Sequence, residues 1–136
     1  MEAALAVLGA DTTYASQLDT VGRSWFPAQW LGVHAQDTLP PVGRDGVGIA
    51  NTGLAPPAGA SVGHWVAYCD SDGRRAFSDP LGAVGVQQRA GLAARFPSAH
   101  WSDDDAEMAV DESICGCAAL AACAVGTHSQ AEFLRV

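Results

Sequence analysis

Three short blocks of this sequence hold the residue types that nucleophilic catalysis needs. The first is Gly63-His64-Trp65, a histidine at the head of a run of strand formers. The second is Ser78-Asp79-Pro80-Leu81-Gly82. The third, Asp111-Glu112-Ser113-Ile114-Cys115-Gly116, sets a cysteine at the entry to a long apolar stretch. A thiol attacks a carbonyl as the thiolate, so it needs a base beside it and a third group to orient that base. His64 can serve as base, Asp79 as its orienter and Cys115 as nucleophile. Taken singly, each block has a plainer reading: a packed or exposed histidine, an Asp-Pro turn, a small hydrophobic cysteine. It is the three roles together that point to acyl-transfer chemistry.

The elements that must position these residues are legible around them. From Ile114 to Val125 every residue is apolar or small, and most are strong helix formers. A helix apolar on all sides belongs inside a core. Asp111 and Ser113 are N-cap candidates, and Gly126 stands where a C′ glycine would end the helix. Cys115 then falls in the first turn, where unpaired N–H groups and the positive end of the macrodipole favour an anion. Gly116 has no side chain to obstruct a substrate backbone. Cys117 and Cys123 sit deeper and are expected to be buried, unreactive thiols. Cys115 and Cys117 lie about 200° apart around a regular helix, so they cannot chelate together, and no C-x-x-C pair exists. No metal or other cofactor is expected.

His64 to Cys69 reads as a strand, Asp70 to Gly73 as a turn and Arg74 to Ser78 as the returning strand. Centring the hairpin on Ser71-Asp72 places His64 directly opposite Asp79, with Cβ atoms about 5 Å apart. A carboxylate there can accept the imidazole N–H and fix its tautomer. A slip of one residue would send the two side chains to opposite faces.

Elsewhere the signals are coarser. Glu2 to Leu8 reads as a short helix stopped by Gly9, and Thr12 to Trp30 as a loop-rich layer anchored by Tyr14, Trp25, Phe26 and Trp30. Val47 to Thr52 reads as a short strand, and Gly53 to Gly63 as a loop long enough to form a substrate-side flap. Gly85 to Phe96 has helical spacing of Val86, Ala90, Ala93, Ala94 and Phe96. The acidic run Asp103 to Glu107 is either a solvated face or a rim that selects basic substrate side chains. The tail from Thr127 reads as a short helix or frayed end.

A chain of 136 residues, 49% hydrophobic, suits one domain over 1–136 with a single core. Fifteen acids against seven arginines, with no lysine, give a net charge of −8. Such a surface repels phosphate backbones, so nucleic acid is not an expected partner. No charged segment followed by a long apolar run stands at Met1, and the longest apolar stretch is too short to span a bilayer. The expectation is an intracellular protein without membrane contact, whose four cysteines are thiols.

The order His, Asp, Cys differs from the Cys, His, Asn order of papain-like proteases. In order and spacing the three blocks resemble those of the adenovirus-type cysteine endopeptidases, which share a fold with the proteases of ubiquitin-like modifiers. Asn51-Thr52 ahead of His64-Trp65, the N-terminal helix ending at Gly9 and the aromatic segment with Phe26-Pro27 extend the likeness over most of residues 1 to 126. The resemblance implies an α+β fold in which the buried nucleophile helix packs against a small, central, mostly antiparallel sheet. It implies His64, Asp79 and Cys115 as the catalytic residues, with Trp65 and Gly116 on the substrate side. The Trp65 ring would flank the imidazolium.

The resemblance also implies cleavage after small residues, glycine above all, in viral structural precursors, within the host cell or the virion. A protease that removes ubiquitin-like modifiers needs the same triad and the same diglycine slot. A non-catalytic relative that binds protein tails is a third reading. One departure favours that third reading: Met108 occupies the position at which the family carries an oxyanion-donating glutamine. The backbone N–H of Cys115 remains as a donor, and Gln87 and Gln88 are the only glutamines between His64 and Cys115.

Overall fold

The computed structural model describes residues 15–54, 64–102 and 115–135. The described residues build one five-stranded sheet in the spatial order β1-β2-β3-β4-β5. The strands are β1 (Trp30–His34), β2 (Gly46–Asn51), β3 (Trp65–Ser71), β4 (Arg74–Ser78) and β5 (His100–Trp101). The central ladders, β2 with β3 and β3 with β4, are antiparallel. The edge strands β1 and β5 pair in parallel. Among the described residues four α-helices accompany the sheet: α1 (Ala15–Trp25), α2 (Ala90–Arg95), α3 (Cys115–Gly126) and α4 (Gln130–Phe133). The class is α+β, as expected. None of these helices is long and apolar enough to cross a membrane.

Both faces of the sheet are covered, and the alternation along β3 shows how. Ala67 and Cys69 join a core with Leu18 and Val21 of α1, Leu120 and Cys123 of α3, and Phe133 of α4. Val66 and Tyr68 join a second core with Leu39, Phe77 and Leu92. Burying a Leu or Phe as fully as Leu18, Leu120 and Phe133 are buried stabilises by roughly 1.5–3 kcal/mol each. The small residues of α3 let it lie close to the sheet, and the Cys123 thiol donates to the Gly48 carbonyl at 3.3 Å.

Gly126 does not act as a left-handed stop. The Thr127 N–H bonds the Cys123 carbonyl at 3.1 Å, so the helix runs through Gly126, which is not among the glycines of positive φ. What requires a glycine there is close approach. A Cβ would stand 3.0 Å from Phe133 Cδ2 and 3.0 Å from Val47 Cγ1. The expected N-caps Asp111 and Ser113 lie outside the described residues, as do the helix over Glu2–Leu8, Tyr14, most of the Gly53–Gly63 loop and the acidic run.

Two stretches differ from expectation. The aromatic segment over Thr12–Trp30 contains a helix, α1. Leu18, Val21, Gly22 and Trp25 follow i, i+3, i+4, i+7, and Asp19 pairs with Arg23 one turn on at 2.8 Å. Over Gly85–Phe96 only Ala90–Arg95 is α-helical. A 3₁₀ turn at Gly82–Gly85 precedes it, and Val86 is exposed rather than packed.

Cys117 and Cys123 are completely buried thiols, and burial pushes both above their ordinary titration range. Both should therefore resist iodoacetamide in the native protein and react only once it unfolds. Alkylation of either at the rate of an exposed thiol, followed by peptide mapping, would contradict this packing.

Candidate active site

The β3–β4 hairpin turns at Asp72-Gly73, not at Ser71-Asp72. Asp72 has φ 53° and Gly73 φ 77°, the two positive values of a type I′ turn. Ser71 pairs with Arg74 and Asp70 with Arg75, and the carboxylate of Asp70 holds the Arg75 guanidinium through two bonds of 2.8 and 2.7 Å. The register is therefore shifted by two residues, and His64 is not directly opposite Asp79. A shift of two preserves the side on which each residue lies, whereas a shift of one would have reversed it. His64 precedes β3, Asp79 follows β4, and their side chains meet diagonally across the open end of the hairpin.

Each is fixed locally. Thr52 follows β2 and clamps the backbone of His64 from both sides. The Thr52 hydroxyl accepts the His64 N–H at 3.0 Å, and the Thr52 N–H donates to the His64 carbonyl at 2.9 Å. At Asp79-Pro80-Leu81-Gly82 the proline presets the turn, and the Gly82 N–H donates to the Asp79 carbonyl at 2.9 Å. The Leu81 N–H donates to Asp79 Oδ1, also at 2.9 Å, so the carboxylate is aimed by its own turn.

His64 Nε2 bonds Asp79 Oδ1 at 2.8 Å, with both side chains buried. An ionised carboxylate only accepts, so Nε2 carries the proton. Burial pushes the Asp79 carboxyl up, but the hydrogen bond and charge of His64, with the donors from Leu81 and Arg89, outweigh it. The group is held below its ordinary range. Arg89 is the residue that the sequence reading missed. Its Nη1 donates to Asp79 Oδ2 at 3.1 Å and to the Gly82 carbonyl at 2.9 Å. The available signal was physical rather than motif-like. A buried carboxylate needs a compensating cation, and Arg89 is the first arginine after Asp79.

Gly85 lies directly against the Asp79 carboxylate. A Cβ at this position would collide with Oδ2 and stand 2.9 Å from Cγ. Gly85→Ala should therefore displace the carboxylate, costing about 1–3 kcal/mol in urea unfolding through overpacking and slowing any His64-dependent reaction. A variant of wild-type stability and reactivity would show that Asp79 has room to move.

The other ring nitrogen of His64 has a different status. Nδ1 is buried and has no hydrogen-bond partner among the described residues. Leaving such an atom unsatisfied typically costs about 1–3 kcal/mol. A histidine kept only for packing is normally satisfied at both nitrogens.

Position 115 is the first residue of α3, whose next residue, Gly116, is buried. Ala118, one turn further on, packs with Leu81 and Trp65, the chain neighbours of the Asp79 turn and of His64. Residues three apart share a helix face, so position 115 lies on the same face of α3 as Ala118. The side chain of Cys115 and all of Met108 lie outside the described residues. Gln87 and Gln88 are exposed on the turn before α2. Among the described residues, no three histidine, cysteine or carboxylate side chains stand close enough to share a metal ion.

No protein-family model matches this chain, and no curated protein is a match to it.

Proposed function

We propose that this chain is a cysteine endopeptidase in which Cys115 is the nucleophile, His64 the base and Asp79 its orienter. The observation that carries the reading is the buried imidazole. Its Nε2–H is committed to Asp79, while Nδ1, also buried, has no hydrogen-bond partner among the described residues. That leaves Nδ1 as the atom able to take a proton. The nucleophile helix starting at position 115, on the face packed against Leu81 and Trp65, supports Cys115 as the donor of that proton.

The mechanism follows from these roles. Nδ1 takes the thiol proton, and the thiolate adds to the scissile carbonyl. The first N–H groups of α3 face the developing oxyanion, the backbone N–H of Cys115 among them. Collapse of the adduct expels the amine, which leaves with the proton from Nδ1, and a thioester remains on Cys115. Nδ1 then deprotonates a water molecule that adds to the thioester. Breaking the C–S bond releases the acid and returns the proton to sulfur. Asp79 stays ionised throughout and holds the ring in one tautomer.

The resemblance of the three sequence blocks favours substrates with a small acyl-side residue, glycine above all, in viral precursor proteins. The test is cleavage of an internally quenched peptide carrying Gly-Gly before the scissile bond, with Cys115→Ala as the blank. Cleavage lost in the blank supports the reading. An equal background in both proteins would leave a tail-binding relative as the better account. A probe built on a whole ubiquitin-like protein, if it reacts where the short peptide does not, would move the substrate class to modifier conjugates.

A further inference from the structure

We infer that Arg89 is a positioning residue of this site, the group that holds Asp79 in the orientation that His64 requires. The inference rests on the reading of His64 as base. The two oxygens of Asp79 are divided between tasks: Oδ1 receives His64 and the Leu81 N–H, and Oδ2 receives Arg89. Without Arg89, Oδ2 would lose a donor that fixes it, and the carboxylate would be free to turn away from Nε2. The imidazole would then no longer be tied to the Nε2–H form, and in the form with its proton on Nδ1 the lone pair needed by a thiol would be gone.

Arg89 is itself held from several sides, as a group that fixes another must be. Its Nη1 also donates to the Gly82 carbonyl, and its backbone N–H bonds the Gly85 carbonyl at 3.0 Å. Its guanidinium lies over the Trp101 ring at 4.7 Å. Trp101 is stacked on buried Phe77 at 4.6 Å between centroids, and the Phe77 carbonyl accepts the Ser102 N–H at 2.8 Å. Pairing of β5 with β4 sets Trp101 beside Phe77. The two-residue strand β5 thus has a purpose: it supplies the ring against which the cation rests.

The experiment follows the proton directly. Nitrogen-15 spectra of the His64 imidazole are recorded at about pH 9, above the ordinary imidazole range. The wild type should show the proton on Nε2. Arg89→Met and Arg89→Gln should shift the population toward Nδ1–H and slow Cys115 alkylation by about tenfold or more. Arg89→Lys, which keeps a cation near Oδ2, should retain the Nε2–H form and most of the rate. An unchanged tautomer in folded Arg89→Met or Arg89→Gln would overturn the inference, and having both variants guards against one failing to fold. The tautomer is read without Cys115, so an inert thiol would sink the peptidase reading and leave the Arg89 result standing.

Discussion

A His64→Ala protein should remain folded, though less stable, and cleave a Gly-Gly peptide at least about a thousandfold more slowly than the wild type. In triads of this kind, removing the base costs nearly as much as removing the whole constellation, because the groups act as a unit. Cys115→Ala should give the same floor, and the double variant should be no worse than either single one. That non-additivity separates a catalytic pair from two independently useful residues. Folding should survive because the backbone of His64 is held by Thr52 rather than by its own ring. Initial rates at saturating and at low peptide, with near-ultraviolet circular dichroism as the folding control, decide the matter. Additive losses from the two substitutions would mean that they do not share one step.

The second large effect concerns stability. Asp79→Asn should destabilise the fold by about 3–5 kcal/mol at neutral pH, because it leaves the Arg89 charge buried without its carboxylate. Activity should fall with it, since a neutral amide no longer dictates which imidazole nitrogen holds the proton. The pH dependence has a definite direction. The folded Asp79 carboxyl lies below its ordinary range, so its contribution is fully present above about pH 4 and is lost as the pH falls through the lowered folded value. The gap between wild type and Asp79→Asn in urea midpoints should thus be widest near neutrality and narrow in acid. A gap that persists undiminished at low pH would mean that Asp79 acts through its shape and not through its charge.

The hairpin illustrates what the sequence could and could not disclose. Its strands are evident from His-Trp-Val-Ala-Tyr-Cys and Arg-Arg-Ala-Phe-Ser. Its register depends on which pair takes the turn, and Asp72-Gly73 is the better type I′ pair because glycine accepts positive φ without cost. A turn at Ser71-Asp72 differs from the observed one by two residues in pairing, and a difference of two keeps His64 and Asp79 on one side. Arg89 was not legible in the same way. It lies in a stretch whose apolar spacing points to a helix and not to a partner for Asp79, and only the folded turn at Gly82–Gly85 brings its guanidinium onto Asp79. The buried helix at Cys115 was legible because a run of small apolar residues has few other uses. The extra helix α1 was obscured by Thr20, Val21 and Gly22, which have low helix propensity and are outweighed by burial of Leu18 and Val21.

The most direct test of the central claim is covalent capture by a peptide vinyl sulfone ending in Gly-Gly, mapped by mass spectrometry across the four cysteines. The account predicts one adduct, on Cys115, formed at a rate that falls at least about a hundredfold in His64→Ala while Cys69, Cys117 and Cys123 stay unmodified. Labelling of Cys115 at the same rate with and without His64, or preferential labelling of any other cysteine in the folded protein, would contradict it.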